Sequence, residues 1–185
     1  MKHYSLPPLE IRMSPNQSKR QHPELGVQMI AVHDPEGFWD GTISTIMNPA
    51  TEVSYHCFLK ADGSKAIQFV PWNRKSWSCR IYNSVTENLC LEGFYNKAYD
   101  DEALHIFARM VAFRLHKRGL PATAVLPGMV STPKGKGFTQ HKFLGTLGGN
   151  HKDFVNTDAK WKAFADMVKA EAKYGHFRKT WGRSN

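Results

Sequence analysis

Apolar positions along the chain fall into short runs separated by turn-forming residues. "VQMIAVH" (27–33) is a continuous apolar run closed by a histidine and reads as a buried strand. "DPEGFWDG" (34–41) reads as a loop. "TISTIMN" (42–48) reads as a short helix ended by Asn48 and Pro49. In "EVSYHCFLKADGSKAIQFVP" (52–71) two β-rich runs flank Ala61-Asp62-Gly63-Ser64, and the Asp-Gly pair suits a tight turn, which predicts a β-hairpin. "ENLCLEGF" (87–94) reads as another strand, with Leu89 and Leu91 on one face and Cys90 and Glu92 on the other.

From Asp100 or Asp101 the period lengthens. Leu104, Phe107, Ala108, Val111 and Leu115 follow helical spacing, acids stand at the start, and Gly119 is the stop. "PATAVLPGMVSTPKGKGFTQH" (121–141) is Pro- and Gly-rich, a loop around short extended pieces. A last helix is predicted from Thr157 to Lys173, with Trp161, Phe164, Val168 and Ala172 as its apolar stripe. Strands and helices mix without strict alternation, which predicts a single α/β domain: a mixed β-sheet flanked by helices. The expected organisation is an N-terminal arm (1–26), a core (27–154) and a C-terminal basic helix packed on that core (155–185).

The composition, 41% hydrophobic and 22% charged over 185 residues, is that of a soluble globular chain. No apolar run approaches the roughly 20 residues that span a bilayer. The first residues lack the apolar stretch of a signal peptide, so synthesis in the cytoplasm is expected. Three cysteines without CxxC spacing argue against a zinc ribbon and against a fully paired disulfide framework. A net charge of +9 favours a polyanionic partner. No helix carries a dense Lys/Arg face and no RNP-type or zinc-finger pattern occurs, so nucleic acid is not the expected partner.

Among nine histidines, His33 stands out because it closes a buried strand, where imidazole needs a partner. His141 follows a Gly-rich loop, and "GGNHKDF" (148–154) adds His151 and Asp153. Two histidines and a carboxylate make a mononuclear zinc set with one open position. From residue types alone, a solvated turn and hydrogen-bonded structural histidines fit these stretches as well. A papain-like Cys/His pair is disfavoured, because Cys57, Cys79 and Cys90 read as strand or loop thiols and none begins a helix.

The order of these pieces resembles the zinc-dependent N-acetylmuramoyl-L-alanine amidases, the group of T7-type lysozyme and the peptidoglycan recognition proteins. "MIAVH" matches the strand ending in a ligand histidine. "SYHCFLKADG" matches the Gly-Tyr-His-Phe hairpin followed by Asp-Gly, and "SWSCRIYN" matches the Trp-His-Ala-Gly segment in part. "LCLEG" stands for Ile-Glu-Leu-Glu-Gly, and "GFTQH" and "HKDF" stand for the closing Gly-x-x-x-His and Lys-x-Asp. The resemblance runs from Val27 to Phe154. It implies an amidase/peptidoglycan-recognition fold, Zn²⁺ held by His33, His141 and Asp153, and hydrolysis of the amide between N-acetylmuramic acid and L-alanine. It also implies Tyr55 and His151 as catalytic groups and Trp77 as a substrate contact.

The chain departs from the family pattern at four places. Cys90 stands for the first glutamate of the strand; members with the hairpin tyrosine can lack that glutamate, and Glu92, on the same face, is the alternative to it. Ser78 stands for the histidine after Trp77, His151 for a lysine, and Phe154 for a proline. The resemblance implies peptidoglycan as partner and a phage endolysin acting on the wall after release from the cytoplasm; a monomer is expected. It also gives the basic surface a second meaning beside a solvated face, a grip on anionic wall polymers. The competing reading is a peptidoglycan-binding module of the same fold that does not cut.

Overall fold

The computed structural model describes residues 4–129, 135–175, 177 and 181. In chain order its strands are β1 (Leu9–Ile11), β2 (Gln17–Lys19), β3 (Met29–His33), β4 (Cys57–Leu59), β5 (Ala66–Gln68), β6 (Arg74–Ser76), β7 (Thr86–Leu91) and β8 (Gly137–Gln140). The helices are α1 (Trp39–Met47), α2 (Asp101–Arg118), the single turn α3 (Gly145–Gly148) and α4 (Asp158–Tyr174). Six strands form one mixed sheet in the order β1-β5-β4-β7-β3-β8, and β2 pairs with β6 separately. Only β4 and β5 run antiparallel within the large sheet.

The predicted hairpin is this β4–β5 pair. Gly63 turns it at φ +71°, and a Cβ there would meet Ile106 Cδ1 at 2.6 Å, so the turn needs glycine for both conformation and space. The strand alternation read at 87–94 sorts the two layers. Leu89 and Leu91 join Ile30, Val32 and Phe138 under α2 and α4, while Cys90 packs with Trp39, Phe58 and Ile67 on the opposite face. Helix α2 begins at an Asp100 cap that accepts the Ala103 N–H and ends at Gly119 with φ +62°. Helix α4 has Thr157 as its cap and buries Trp161, Phe164 and Val168, with the Phe107 and Phe164 rings 5.8 Å apart. Among the described residues no helix is long and apolar enough to cross a membrane.

Two local differences from the sequence reading have tertiary causes. Helix α1 starts at Trp39, inside the stretch read as loop. Phe38 offers no side-chain cap, and the carboxylate of Glu92 accepts the Trp39 N–H instead, at 2.6 Å. The N-terminal arm supplies β1 to the edge of the large sheet and β2 to β6. Of the C-terminal residues read as basic, Arg178, Lys179 and Arg183 lie outside the described residues.

Under the sheet, Glu87 is fully buried and receives two bonds from Arg114 (2.8 and 2.9 Å) and one from Arg118 (2.7 Å). Burial alone would raise its pKa, but the two guanidinium groups outweigh that and hold it at about 2. Glu87→Gln is expected to cost about 3–5 kcal/mol, chiefly because the buried Arg114 loses its counter-charge, with a smaller share from the partly exposed Arg118. Since the folded pKa is depressed, this contribution is complete above the ordinary value of 4.5 and is lost as pH falls toward about 2. Urea unfolding of both proteins should show a wide gap at pH 7 that narrows through that acid window. An equal gap at every pH would refute the charge argument.

Candidate metal centre and cleft

Parallel pairing builds the centre. Strand β8 runs beside β3 with Val32 opposite Gln140, so the residues that follow, His33 at the end of β3 and His141 just past β8, stand side by side at the carboxyl edge of the sheet. The GGNHKDF loop then folds back onto that edge. The Lys142 N–H donates to the Asp153 carbonyl (2.7 Å), and Lys142 Nζ reaches the Val155 carbonyl (2.9 Å). Gly149, at φ +123°, lets the His151 ring come close, since a Cβ there would lie 2.8 Å from His151 Cδ2.

Three acceptor atoms converge as a result. His33 Nδ1 lies 3.1 Å from His141 Nδ1 and 3.1 Å from Asp153 Oδ2, and His141 Nδ1 lies 3.2 Å from the same oxygen. All three residues are buried. His141 Nε2 faces the Gly148 carbonyl at 2.9 Å, which can only accept, so that nitrogen carries the proton and Nδ1 is bare. His33 Nε2 is engaged by Asn88 Oδ1 at 3.0 Å. Two ring lone pairs and a carboxylate within 3.2 Å repel one another unless a cation lies among them. A tetrahedral ion with bonds of about 2.0–2.1 Å separates its ligands by roughly 3.3 Å, so the spacing fits Zn²⁺.

Among the described residues, two overlapping groups of potential ligands include members of this triangle: His33, Cys79 and His141, and His141, His151 and Asp153. Cys79 Sγ stands 3.6 Å from His33 Nε2, the nitrogen turned away from the triangle, and is 3.0 Å from Asn88 Oδ1. His151 is farther out. Its side chain is 61% exposed, its Nδ1 is 4.0 Å from Asp153 Oδ1, and its ring stacks on that of His141 at 4.5 Å.

Charge at the centre follows from burial and partners. Burial, then the neighbouring His141, lowers the pKa of His33, which favours the neutral ring that a metal ligand would require. His151 is lowered by burial and by His141, so it is a neutral ring at pH 7.

The triangle lies beside a cleft of about 440 Å³, walled by α1 and the loop before it and by Val53, Tyr55, Ser78, His141, His151 and Asp153. Tyr55 is half-buried with its ring 5.1 Å from that of His33. Burial, then Cys90 and the carboxyls of Asp153 and Asp34, raises its pKa well above 10, so at neutral pH it is a hydrogen-bond donor. Trp77 is not among the lining residues; its indole N–H donates to Ser18 Oγ (3.0 Å), while its neighbour Ser78 faces the cleft. Glu92 does not replace the missing strand glutamate. Its two oxygens accept the Trp39 and Ala61 N–H groups at 2.6 and 2.8 Å, so it holds α1 to the hairpin.

Two site residues escaped the sequence reading. Asp34 lines the cleft almost wholly buried, accepts from Tyr99 O–H at 2.6 Å, and has its pKa pushed up to about 8, chiefly by burial. Its signal was a carboxylate directly after a buried strand. Asn88 was legible as an amide inside an apolar strand, on the same face as Cys90.

Comparison with known proteins places this arrangement. No curated protein sequence matches the chain. Among solved structures, the hydrolase AmiA of Staphylococcus aureus, in complex with its ligand, superposes with a TM-score of 0.69 at 16% identity, covering 91% of this chain and 85% of that one. A mutant endolysin from Bacillus subtilis gives 0.63 at 12% identity, covering 88% and 99%. The N-acetylmuramoyl-L-alanine amidase LysC from Clostridium intestinale gives 0.57 at 12% identity, covering 90% and 98%. At such identities these likenesses establish the fold. Residues 21–155 match the family described as N-acetylmuramoyl-L-alanine amidase, and that span contains every residue of the cleft and the triangle; the chain belongs to this family of peptidoglycan amide hydrolases.

Proposed function

We propose that the chain is a zinc-dependent endolysin that cuts the amide between N-acetylmuramic acid and L-alanine, with His33, His141 and Asp153 as the metal ligands. The observation that carries this reading is the convergence of two bare ring nitrogens and a carboxylate oxygen at 3.1–3.2 Å beside an open cleft. Zn²⁺ bound there supplies a Lewis acid and lowers the pKa of water toward about 7. The protein's own groups do the rest. The cleft orients the muramoyl peptide so that its scissile carbonyl faces the triangle. Tyr55, protonated and beside His33, donates to the oxygen that becomes negative as water adds to the carbonyl carbon. His151, neutral at the cleft rim, accepts the proton that water loses and returns it to the departing L-alanine amine.

Metal analysis of the purified protein, paired with clearing of a cell-wall suspension with and without a chelator, tests the assignment. About one zinc per chain and lysis that stops on chelation and returns with zinc are expected. Lysis unaffected by thorough removal of metal would overturn it.

The exposed face of α4 supports a second contact, with phosphate-rich wall polymers. Lys160, Lys162, Lys169 and Lys173 are exposed, although Lys162 and Lys169 share Asp166 at 2.8 and 3.4 Å. Each surface contact is weak and screened within about 8 Å at physiological salt, so only their number matters. Changing all four to Gln should leave cleavage of a soluble muropeptide unchanged and weaken binding to intact walls, less so as salt rises. Equal wall binding at low salt would make this a solvated face.

A further inference from the structure

A chain of buried hydrogen bonds runs behind His33 from strand to strand, away from the cleft. It starts at His56, which burial and then Arg20 hold neutral, with its pKa lowered to about 3. The backbone N–H of Asn88 points at His56 Nδ1 (3.0 Å); an N–H only donates, so Nδ1 is an acceptor and the proton sits on Nε2, 3.0 Å from the Arg74 carbonyl. Ser76 Oγ is also 3.0 Å from His56 Nδ1 and, facing an acceptor, shares that lone pair as a donor with the Asn88 N–H. The Thr86 hydroxyl donates to the Tyr82 carbonyl at 2.9 Å.

Both hydroxyl protons are thus committed elsewhere, and the two oxygens offer lone pairs to Asn88. They lie 2.9 Å (Ser76) and 3.2 Å (Thr86) from one end of its amide, which must therefore be the NH₂. The carbonyl end then faces His33 Nε2 at 3.0 Å and Cys79 Sγ at 3.0 Å. Asn88, Ser76, His56 and His33 are all fully buried, so water cannot substitute for any of these partners.

We propose that Asn88 is a positioning residue for the metal centre: oriented by Ser76, Thr86 and His56, it fixes His33 as the Nε2–H tautomer and turns the bare Nδ1 toward His141 and Asp153. A carbonyl in this place can only accept. It sets the tautomer before any metal arrives and makes Nδ1 the better donor. The choice cannot be read from His33 alone, because either nitrogen of a neutral ring can carry the proton. The effect on zinc rests on the metal assignment made above; the tautomer does not.

Long-range ¹H–¹⁵N correlation spectra of the metal-free full chain at pH 8 test the tautomer directly, and competition with a chromophoric chelator measures zinc affinity. The wild-type protein should show His33 protonated at Nε2. Asn88→Leu should give a mixed tautomer and zinc binding weaker by about 10- to 100-fold, the usual effect of losing a partner behind a ligand. Asn88→Asp still accepts at Nε2, although its second oxygen replaces the NH₂ beside Ser76 and Thr86; it should restore the tautomer and recover part of the lost affinity, an outcome that a purely structural role for Asn88 would not produce. His33 protonated at Nδ1 in the wild-type protein overturns the proposal without recourse to any variant. So does a folded Asn88→Leu with tautomer and affinity unchanged. A wild-type protein that shows the Nε2–H tautomer yet takes up no zinc would instead overturn the metal assignment and leave Asn88 as the group that orients His33.

Discussion

Replacing His33, His141 or Asp153 by alanine is expected to abolish wall lysis and to lower bound zinc. The three atoms stand 3.1–3.2 Å apart, so removing one leaves two ligands where a catalytic zinc needs three. In the proposed mechanism, activation of the water and polarisation of the carbonyl would both depend on the ion. A loss of about 6 kcal/mol of transition-state stabilisation, the order of several kcal/mol assigned to such a Lewis acid, is a fall of roughly 10⁴-fold. Metal analysis and lysis rates should fall together. Full zinc content with unchanged lysis in Asp153→Ala would point to His151 as third ligand, because His151 and Asp153 share a ligand group with His141.

Tyr55→Phe should lower turnover by about 10- to 10⁴-fold while zinc stays bound, since the change removes one hydroxyl and keeps the ring that packs near His33. The raised pKa makes the phenol a donor and not a base. The loss should therefore appear in kcat more than in KM, and its size should not vary across the neutral range. Cys90→Ser serves as the contrast. The thiol is buried and its pKa is pushed well above 9 by burial and the nearby Asp34 carboxyl, so it is not a nucleophile at neutral pH. Activity per folded molecule should hardly change. A Cys90→Ser protein that binds zinc but is inert would revive a thiol mechanism.

The local sequence determined much of what surrounds the centre. Turn chemistry at Asp62-Gly63 set the β4–β5 hairpin, and caps at Asp100 and Thr157 with a stop at Gly119 bounded the two long helices, because those signals act within a few residues. The alternation of Leu89, Cys90 and Leu91 sorted the two faces of β7, because side chains on a strand alternate strictly. His33, His141, His151 and Asp153 could be singled out by residue type and order.

What only the tertiary structure decided depends on partners far apart in sequence. The start of α1 was invisible because its capping carboxylate, Glu92, lies 53 residues away. That same bond withdraws Glu92 from the role left open by Cys90. Parallel register between β3 and β8 sets His33 beside His141, 108 positions away in the chain. The proton on each histidine is decided by what stands behind it, the Gly148 carbonyl for His141 and Asn88 for His33. A sequence carries the residues able to hold a metal; the burial of their other nitrogens against fixed acceptors, which the folded sheet alone provides, turns the right atoms toward one point.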